Sequence, residues 1–282
     1  MKKLYGIIGH PVSHTLSPAM QKAAFDYLKI DADYQAFDVE PKDLGSFLSS
    51  LDKKGISGIN VTIPHKVEAK RYVEENGTLD KEAAKLGAVN TIKVERGALS
   101  GHNTDGPGFY RSLVLDLKFE PENKNVFVLG AGGAARAIVM YLGAGPKKIF
   151  VTDVEASKTK DLEAQYKRYF KNDKLQICRE DGLETALEES NLLINATPIG
   201  MKDQDPSPVD IKLLHEGLYV YDLVYNRPRT ELVRQANAKK LHAVTGLGML
   251  LYQGAIAFEI WTGLKAPVAV MKKALLERLR EK

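Results

Sequence analysis

The sequence predicts an α/β protein of two domains, with the second inserted into the first. The chain has 282 residues, more than one compact core usually needs. Short β-rich runs alternate with amphipathic helical runs almost throughout, which is typical of parallel sheets covered on both faces. After Gly248 the pattern is helical to the end, and we expect these last helices to pack back on the N-terminal domain.

The length and periodicity of each apolar run indicate whether it forms a strand or a helix. The predicted strands are Leu4–Ile8, Tyr34–Val39, Gly58–Thr62, Val126–Leu129, Lys148–Thr152, Leu192–Asn195 and Tyr219–Asp222. The predicted helices are Pro18–Lys29, Lys42–Leu51, Ala134–Leu142, Ser157–Phe170, Thr230–Ala238, Met249–Gly263 and Pro267–Arg280.

Glycine and proline mark the expected domain borders. Gly106-Pro107-Gly108 follows a polar cluster, and the polar stretch 120–124 precedes an apolar strand that begins a second β–α series. Thr245-Gly246-Leu247-Gly248 marks the return to the first domain. We therefore predict a first domain of residues 1–105 plus 247–282 and an inserted domain of residues 106–246.

Composition limits the classes of function. Hydrophobic residues make up 44% and charged residues 27%, as in ordinary globular proteins. The net charge of +4 comes from Lys and Arg scattered among Asp and Glu, so neither nucleic acid nor a membrane is indicated as a partner. No apolar run approaches the roughly 20 residues that cross a bilayer, and the apolar start is too short for a signal peptide. The single cysteine, Cys178, fits a reducing compartment, so we expect a cytoplasmic monomer or homodimer.

A glycine-rich turn opens the second domain. Gly130, Gly132 and Ala135 match the pattern G-x-G-x-x-A between the buried strand Val126–Leu129 and an apolar helix. The first glycine permits a tight turn, the second lets backbone approach a pyrophosphate, and the alanine keeps the helix close to the sheet. The helix N-terminus adds free N–H groups. This context predicts a Rossmann domain that binds a dinucleotide, although a glycine-rich turn without a ligand remains the alternative.

The acid at the end of the next strand bears on the choice of cofactor. Asp153 stands where a carboxylate hydrogen-bonds the adenosine ribose, or alternatively caps a helix. A 2′-phosphate beside it would be repelled by about 1–4 kcal/mol per charge at roughly 4 Å. Lys158, with Lys147 and Lys148, offers partial compensation. We therefore predict NAD as the cofactor, with NADP possible.

Three polar clusters in the N-terminal half indicate a second site. The first includes Thr15 and Ser17 before a helix, where hydroxyls and free amides suit a carboxylate, or where Ser17 is simply an N-cap. The second, residues 60–66, ends an apolar strand and delivers Lys66 to the edge where open parallel sheets bind ligands. The third combines Asn90-Thr91 with residues 101–106. Each cluster taken singly also reads as a solvated loop.

Taken together, the motifs resemble the shikimate/quinate dehydrogenase family. The matching blocks run in order from Gly9 to about Gln253 and are residues 60–66, 87–91, 103–106, 130–136, 195–198, 221–225 and 246–250. The resemblance implies two α/β domains with a cleft between them, and NAD(P)-dependent interconversion of 3-dehydroshikimate and shikimate, with 3-dehydroquinate and quinate as further substrates.

The resemblance also implies roles for individual residues. It implies a catalytic pair, Lys66 and Asp105, with the lysine as acid and base. The implied substrate contacts are Thr15, Ser17, Thr62, Asn90, Asp105, Tyr225 and Gln253. The implied cofactor contacts are Gly130, Gly132, Gly133, Ala134, Asp153, Lys158, Thr197, Val224, Gly246 and Met249.

Two departures from the family pattern affect specificity. Members that use NADP resemble Asn-Arg-Thr where this chain has Asp153-Val154-Glu155, which favours NAD and the quinate-using branch. The usual Ser-x-Ser of the carboxylate site is Thr15-Leu16-Ser17, and the extra methyl group can change how the ring sits. Both departures leave strict shikimate specificity open.

Two other functions compete with this interpretation. A methylenetetrahydrofolate-type dehydrogenase shares the two-domain layout and a lysine in the cleft. A non-catalytic, dinucleotide-responsive regulator would keep the fold, but we expect such a protein to have lost Lys66 or Asp105. A metal site is not predicted, because His65 and His102 have no partner at metal-ligand spacing.

Overall fold

A computed structural model describes residues 2–281 and divides them into two compact α/β units. The first unit comprises residues up to Gly108 together with Leu251 onward, and the second comprises Phe109–Leu250. The two borders fall inside helices. This architecture confirms the predicted fold class, in which a Rossmann-type domain is inserted into a domain built from both ends of the chain.

The first unit contains a mixed six-stranded sheet with strand order β2-β1-β3-β5-β6-β4. Its elements in chain order are β1 (Lys3–Gly9), α1 (Ser17–Tyr27), β2 (Ala32–Asp38), α2 (Leu44–Ser49), β3 (Ile56–Val61), α3 (Lys66–Asn76), β4 (Gly77–Leu79), α4 (Lys81–Leu86), β5 (Thr91–Glu95), β6 (Ala98–His102) and α5 (Asp105–Leu115). Strands β1, β2 and β3 are parallel, whereas β5 is antiparallel to both β3 and β6.

A two-residue turn explains the antiparallel part of this sheet. Arg96 (φ 54°) and Gly97 (φ 80°) link β5 to β6, and left-handed conformations at both positions are what a tight hairpin requires. Apolar side chains of β1, β3 and β5, including Ile8, Ile59 and Ile92, pack against helix residues in one buried cluster. Burial of this face holds the sheet in register.

The expected border at Gly106-Pro107-Gly108 forms the first turn of α5, and the two units divide directly after Gly108. Proline is tolerated there because its missing N–H would have no intrahelical partner. Gly108 is required by space, since a Cβ at this position would lie 2.6 Å from the backbone nitrogen of Gln253.

The second unit is built on an entirely parallel six-stranded sheet with order β12-β11-β10-β7-β8-β9. Its elements are β7 (Asn125–Leu129), α6 (Gly133–Leu142), β8 (Lys148–Thr152), α7 (Ala156–Tyr169), β9 (Leu175–Ile177), α8 (Leu183–Glu188), β10 (Leu192–Asn195), β11 (Tyr219–Asp222), α9 (Glu231–Ala238) and β12 (Ala243–Thr245). The chain then continues into α10 (Leu247–Thr262) and α11 (Val268–Arg280).

The order of this sheet creates a switch point. From β7 the chain moves outward through β8 and β9, and then returns to place β10 on the other side of β7. Loops that leave β7 and β10 therefore diverge at the carboxyl edge of the sheet, which is where such folds bind ligands. Within residues 2–281, no helix combines the length and apolar character that a membrane span requires.

Candidate active site

An ion pair between Lys66 and Asp105 lies at the centre of the polar site in the first unit. Each residue begins a helix, Lys66 at the start of α3 and Asp105 at the start of α5. Lys66 Nζ donates to Asp105 Oδ2 at 2.6 Å, with 30% of the lysine side chain and 12% of the aspartate side chain exposed. The pair is therefore anchored but open on the lysine side, as a group that exchanges protons with a ligand must be.

Asn90 holds the other oxygen of the carboxylate. Its Nδ2 donates to Asp105 Oδ1 at 2.9 Å, while its Oδ1 accepts from the backbone N–H of Thr104 at 2.8 Å. Asn103 adds a further restraint by accepting from the backbone N–H of Asp105 at 3.0 Å. Both carboxylate oxygens are thus engaged, and the orientation of Asp105 is fixed before any ligand arrives.

Thr15 and Ser17 lie together at the start of α1. The N–H of Ser17 donates to Thr15 Oγ1 at 3.3 Å, and Ser17 is only 3% exposed. The N-cap of this helix is Leu16, without a side-chain cap, so the alternative reading of Ser17 as the capping residue is wrong.

The remaining predicted substrate residues occupy three elements. Thr62 directly follows β3, where its N–H donates to the carbonyl of Ile8 at 2.9 Å. Gln253 lies on α10, and its backbone contacts Gly108, three residues beyond Asp105. Tyr225 belongs to the second unit and is 40% exposed. Its contact with substrate stays a prediction.

His65 is a buried neighbour of the lysine that has a structural partner. It is 2% exposed, and its Nε2 lies 2.7 Å from the carbonyl oxygen of Val39. His102 is likewise paired, with Nδ1 3.0 Å from Asp80. Among the described residues, no group of three or more His, Cys, Asp or Glu side chains is arranged to hold a metal ion.

Three buried polar residues of the first unit received no role from the sequence. Tyr34, Asn60 and Thr91 are 1%, 4% and 0% exposed, and they hydrogen-bond to one another beneath the Lys66–Asp105 pair. Asn60 is the first residue of the second polar cluster, residues 60–66. Its strand is otherwise apolar, and the sequence does not indicate which residues it would bond to.

The glycine-rich turn of the second unit has room for a phosphate group. Gly130 adopts φ +98°, and a Cβ there would lie 2.9 Å from the carbonyl oxygen of Ala196, so only glycine fits. A Cβ at Gly132 or Gly133 would meet nothing within 4 Å. Helix α6 begins at Gly133 with no side-chain cap, and Ala134 is exposed in its first turn. Free N–H groups beneath open space fit the pyrophosphate of a dinucleotide.

Both oxygens of Asp153 are bound to backbone. Oδ2 accepts from the N–H of Ala131 at 2.7 Å and Oδ1 accepts from the N–H of Glu155 at 2.8 Å. The carboxylate therefore ties the glycine-rich turn to the end of β8.

Lys158 lies one turn into α7 with its ammonium 2.6 Å from Glu155, which raises the pKa of the lysine. Lys148 begins β8 and so lies at the opposite edge of the sheet, where it cannot compensate Asp153.

A buried carboxylate organises the loops after β10 and β11. Asp222 accepts from Asn195 Nδ2 at 2.9 Å, from the N–H of Val224 at 3.1 Å and from Thr230 Oγ1 at 2.5 Å. Asn195 in turn accepts from Thr197 through both its N–H and its hydroxyl. Two of the predicted cofactor residues, Thr197 and Val224, are thus fixed by one network.

Two further predicted cofactor contacts, Gly246 and Met249, lie on the next segment. The N–H of Gly246 donates to the carbonyl of Val224 at 3.1 Å, and a Cβ at Gly246 would overlap the carbonyl oxygen of Leu223. Met249 is partly exposed in the first turn of α10. The structure brings Val224 and Gly246 into contact, at the carboxyl edge that also carries Gly130.

Comparisons with known proteins agree with this architecture. The family model for the shikimate dehydrogenase substrate binding domain matches residues 7–92, and the model for the shikimate 5′-dehydrogenase C-terminal domain matches residues 246–276. The chain is similar to shikimate dehydrogenase (NADP+) of Methanopyrus kandleri, with 44% identity over 98% of this chain and 95% of the relative. The corresponding enzyme of Methanocaldococcus jannaschii is 40% identical over 98% and 97%.

Solved structures give the same result. A crystal structure of shikimate dehydrogenase in complex with NADP+ has a TM-score of 0.90 and 38% identity, covering 99% of this chain and 96% of that chain. Shikimate 5-dehydrogenase from Thermus thermophilus, in complex with NADP(H) and shikimate, has a TM-score of 0.86 and 34% identity, covering 98% and 99%.

The prediction of NAD as the cofactor is wrong. The curated relatives are named as NADP+ enzymes, and the solved neighbours include complexes with NADP. The physical reason lies at Asp153, whose charge was taken as unpaired. Two backbone N–H groups bind its oxygens, so the carboxylate shapes the turn. Its presence therefore does not decide against a 2′-phosphate.

The length and identity of these matches also decide between the functions left open by the sequence. Nearly the whole chain aligns with shikimate dehydrogenases, which disfavours a folate-type dehydrogenase and a non-catalytic regulator alike. The chain belongs to the shikimate dehydrogenase family of oxidoreductases.

Proposed function

We propose that the protein interconverts shikimate and 3-dehydroshikimate with NADP, with Lys66 as the acid and base. The observation that carries this proposal is the 2.6 Å contact between Lys66 Nζ and Asp105 Oδ2 at the start of two helices. Bound NADP would supply or accept the hydride. Gly132, Gly133 and the first turn of α6 would hold its pyrophosphate, because they lie beneath open space at an uncapped helix N-terminus, and Gly130, whose N–H donates to the carbonyl of Thr152, would shape the turn.

Lys66 would accept the proton of the reacting hydroxyl in one direction and donate it in the other. In the oxidative direction its neutral amine takes the proton from the reacting hydroxyl, and in the reductive direction its ammonium returns the proton to the oxygen that gains charge. Asp105 would hold the Nζ in place through Oδ2. Because Asn90 occupies Oδ1, the carboxylate cannot rotate away from the lysine without breaking a buried bond.

Hydroxyl and amide groups of the first unit would select the substrate. Thr15 and Ser17 would bind its carboxylate, and Thr62, Asn90 and Gln253 its ring hydroxyls. A site built to pair hydroxyls rejects analogues without them, because its own buried polar groups are left unpaired. Turnover of quinate stays a prediction that now depends on the extra methyl group of Thr15 alone.

Initial rates for shikimate and quinate, each with NADP and NAD, test the assignment. We expect the highest kcat/KM for shikimate with NADP. In Lys66→Ala, kcat should fall by about 10²–10⁴-fold, the usual contribution of general acid–base catalysis, while substrate binding is largely retained. Lys70→Ala is the matched control, because Lys70 lies on the same helix and pairs with Glu74 at the surface. A near-normal kcat in Lys66→Ala would refute the role of the lysine.

A further inference from the structure

We propose that Tyr34, Asn60 and Thr91 are positioning residues that hold Asp105 against Lys66 through one directed chain of hydrogen bonds. None of the three is exposed enough to form the surface of a site. The inference builds on the proposed function, because it assigns to these residues an effect on the same reaction.

The chain consists of four consecutive bonds inside the first unit. Tyr34 Oη donates to Asn60 Oδ1 at 2.7 Å, and Asn60 Nδ2 donates to Thr91 Oγ1 at 3.0 Å. Thr91 Oγ1 donates to Asn90 Oδ1 at 3.1 Å, and Asn90 Nδ2 donates to Asp105 Oδ1 at 2.9 Å. Each of the four bonds is donated in the direction of Asp105. Asp105 accepts from Asn90 at Oδ1 and from Lys66 at Oδ2.

Backbone groups fix the direction of the chain. Asn60 Nδ2 also faces the carbonyl oxygen of Asn90 at 3.2 Å, and a carbonyl can only accept. Asn90 Oδ1 faces the N–H of Thr104 at 2.8 Å, which can only donate. Neither amide can therefore be reversed. Thr91 therefore accepts from Asn60, and its own proton goes to Asn90 Oδ1 at 3.1 Å, which is nearer than the alternative acceptor Thr104 Oγ1 at 3.5 Å. Tyr34 donates to Asn60.

The far end of the chain is the phenol of Tyr34, which is 1% exposed. Burial raises the pKa of this phenol, so Tyr34 keeps its proton and can donate it to Asn60 Oδ1.

Aligned hydrogen bonds in a buried environment polarise one another. Strengthening the donors upstream makes the N–H of Asn90 a better donor to Asp105, and so holds the carboxylate more firmly against Lys66. Asn60 and Thr91 are opposite each other on β3 and β5, which gives the chain a rigid crossing between the strands. The expected consequence is that Tyr34 affects kcat although it is remote from the reacting atoms.

A double-mutant cycle on kcat tests the chain. Tyr34→Phe removes its first donor, and Thr91→Val interrupts it in the middle while both amides keep their backbone partners. We expect Tyr34→Phe to lower kcat about fivefold in the wild-type background and less than twofold in the Thr91→Val background, as expected for members of one network. Equal fold losses in the two backgrounds, or an unchanged kcat in Tyr34→Phe, would overturn the proposal.

Two further variants separate positioning from general destabilisation. Thr91→Ser keeps the hydroxyl and should restore most of the kcat lost in Thr91→Val. Thr159→Val, at a buried threonine of the second unit, controls for the loss of a buried hydroxyl and should leave kcat unchanged. If Thr91→Val does not fold, Thr91→Ala takes its place in the cycle. A Thr91→Ser variant as slow as the valine or alanine variant would contradict the chain.

The wild-type rate separates the two proposals. Failure of the wild-type protein to turn over shikimate with NADP would refute the proposed function. Normal turnover together with an additive cycle would refute only the directed chain.

Discussion

Replacement of Asp222 should destabilise the second unit in a way that depends on which atoms replace the carboxylate. The side chain is fully buried and accepts hydrogen bonds from Asn195, Val224 and Thr230. In Asp222→Ala, Asn195 Nδ2 keeps the carbonyl of Ile199 as an acceptor at 3.0 Å. The N–H of Val224 and the hydroxyl of Thr230 lose theirs.

The magnitude follows from these two donors. An unsatisfied buried donor costs about 1–3 kcal/mol, so the two together cost about 2–6 kcal/mol. Removal of a charge from a buried position offsets part of this loss. We therefore expect Asp222→Ala to lower the free energy of unfolding by about 2–4 kcal/mol. Asp222→Asn keeps one acceptor oxygen and should lose only about 1–2 kcal/mol.

The loss should also depend on pH. Burial raises the pKa of Asp222 in the folded protein, ahead of the opposing effects of its hydrogen bonds. A raised folded pKa means that the protonated carboxyl stabilises the fold at low pH, and that this contribution is lost as pH rises through the folded pKa. The advantage of the wild type over Asp222→Asn should therefore be larger at pH 5 than at pH 8.

Urea unfolding followed by far-UV circular dichroism at pH 5 and pH 8 measures both effects. The wild type, Asp222→Asn and Asp222→Ala are compared under identical salt. An advantage of the wild type that grows toward pH 8 would show that the ionised form is the stabilising one, and a loss below 1 kcal/mol in Asp222→Ala would show that the two donors find other acceptors.

Four further changes test the cofactor-binding edge and the Gly108 contact. Lys158→Ala should raise KM for NADP about tenfold and leave KM for NAD unchanged, if its ammonium leaves Glu155 for the 2′-phosphate; equal effects on both cofactors would contradict this role. Glu155→Gln frees that ammonium and should lower KM for NADP in the same steady-state assay. Gly246→Ala should weaken NADP binding, measured by fluorescence titration, because the new Cβ displaces the Leu223 carbonyl. Gly108→Ala should lower Tm, because its Cβ would overlap the backbone of Gln253, and an unchanged Tm would show that this backbone can yield.

The sequence predicted the second sheet better than the first. Strands Lys148–Thr152, Leu192–Asn195 and Tyr219–Asp222 were predicted to the residue, because strands buried on both faces are nearly uniform apolar runs. The β5–β6 hairpin was not predicted. Its turn is Arg96-Gly97. Arg96 adopts a left-handed conformation, which arginine rarely does, so the sequence gives no indication of this turn.

Short helices with polar faces were also missed. Helix α3 buries only Ala69 and Val73, so it lacks the apolar stripe by which a helix is recognised in a sequence. Helix α5 was hidden by Gly106-Pro107-Gly108, because a proline between two glycines usually indicates a turn. Here tertiary packing overrides that local preference, since Gly108 is needed for the contact with Gln253.

Some residues of the polar site were identified from the sequence and others were not. Lys66 was singled out because it follows an apolar strand, and Asn90 and Asp105 because they lie in polar clusters that match the family motifs. The structure brings the three side chains into contact. Thr91 was noted beside Asn90 in the third polar cluster but received no role, and Tyr34 was not noted, because a single polar residue in a strand is more often a surface position. Only the sheet order, which places β3 between β1 and β5, turns them into neighbours of Asn60.

The error over the cofactor has a more general cause. A carboxylate at a strand end repels a phosphate only as far as its charge is uncompensated, and compensation depends on hydrogen bonds that the sequence does not display. Asp153 and Asp222 both lie at the carboxyl edge of the second sheet, and both bind backbone N–H groups of the loops around them. Each shapes the loops with its oxygens, and this role is compatible with either nicotinamide cofactor. Discrimination between the cofactors would therefore come from other groups near the 2′-position, and we expect Lys158, in the first turn of α7, to be one of them once its ammonium leaves Glu155.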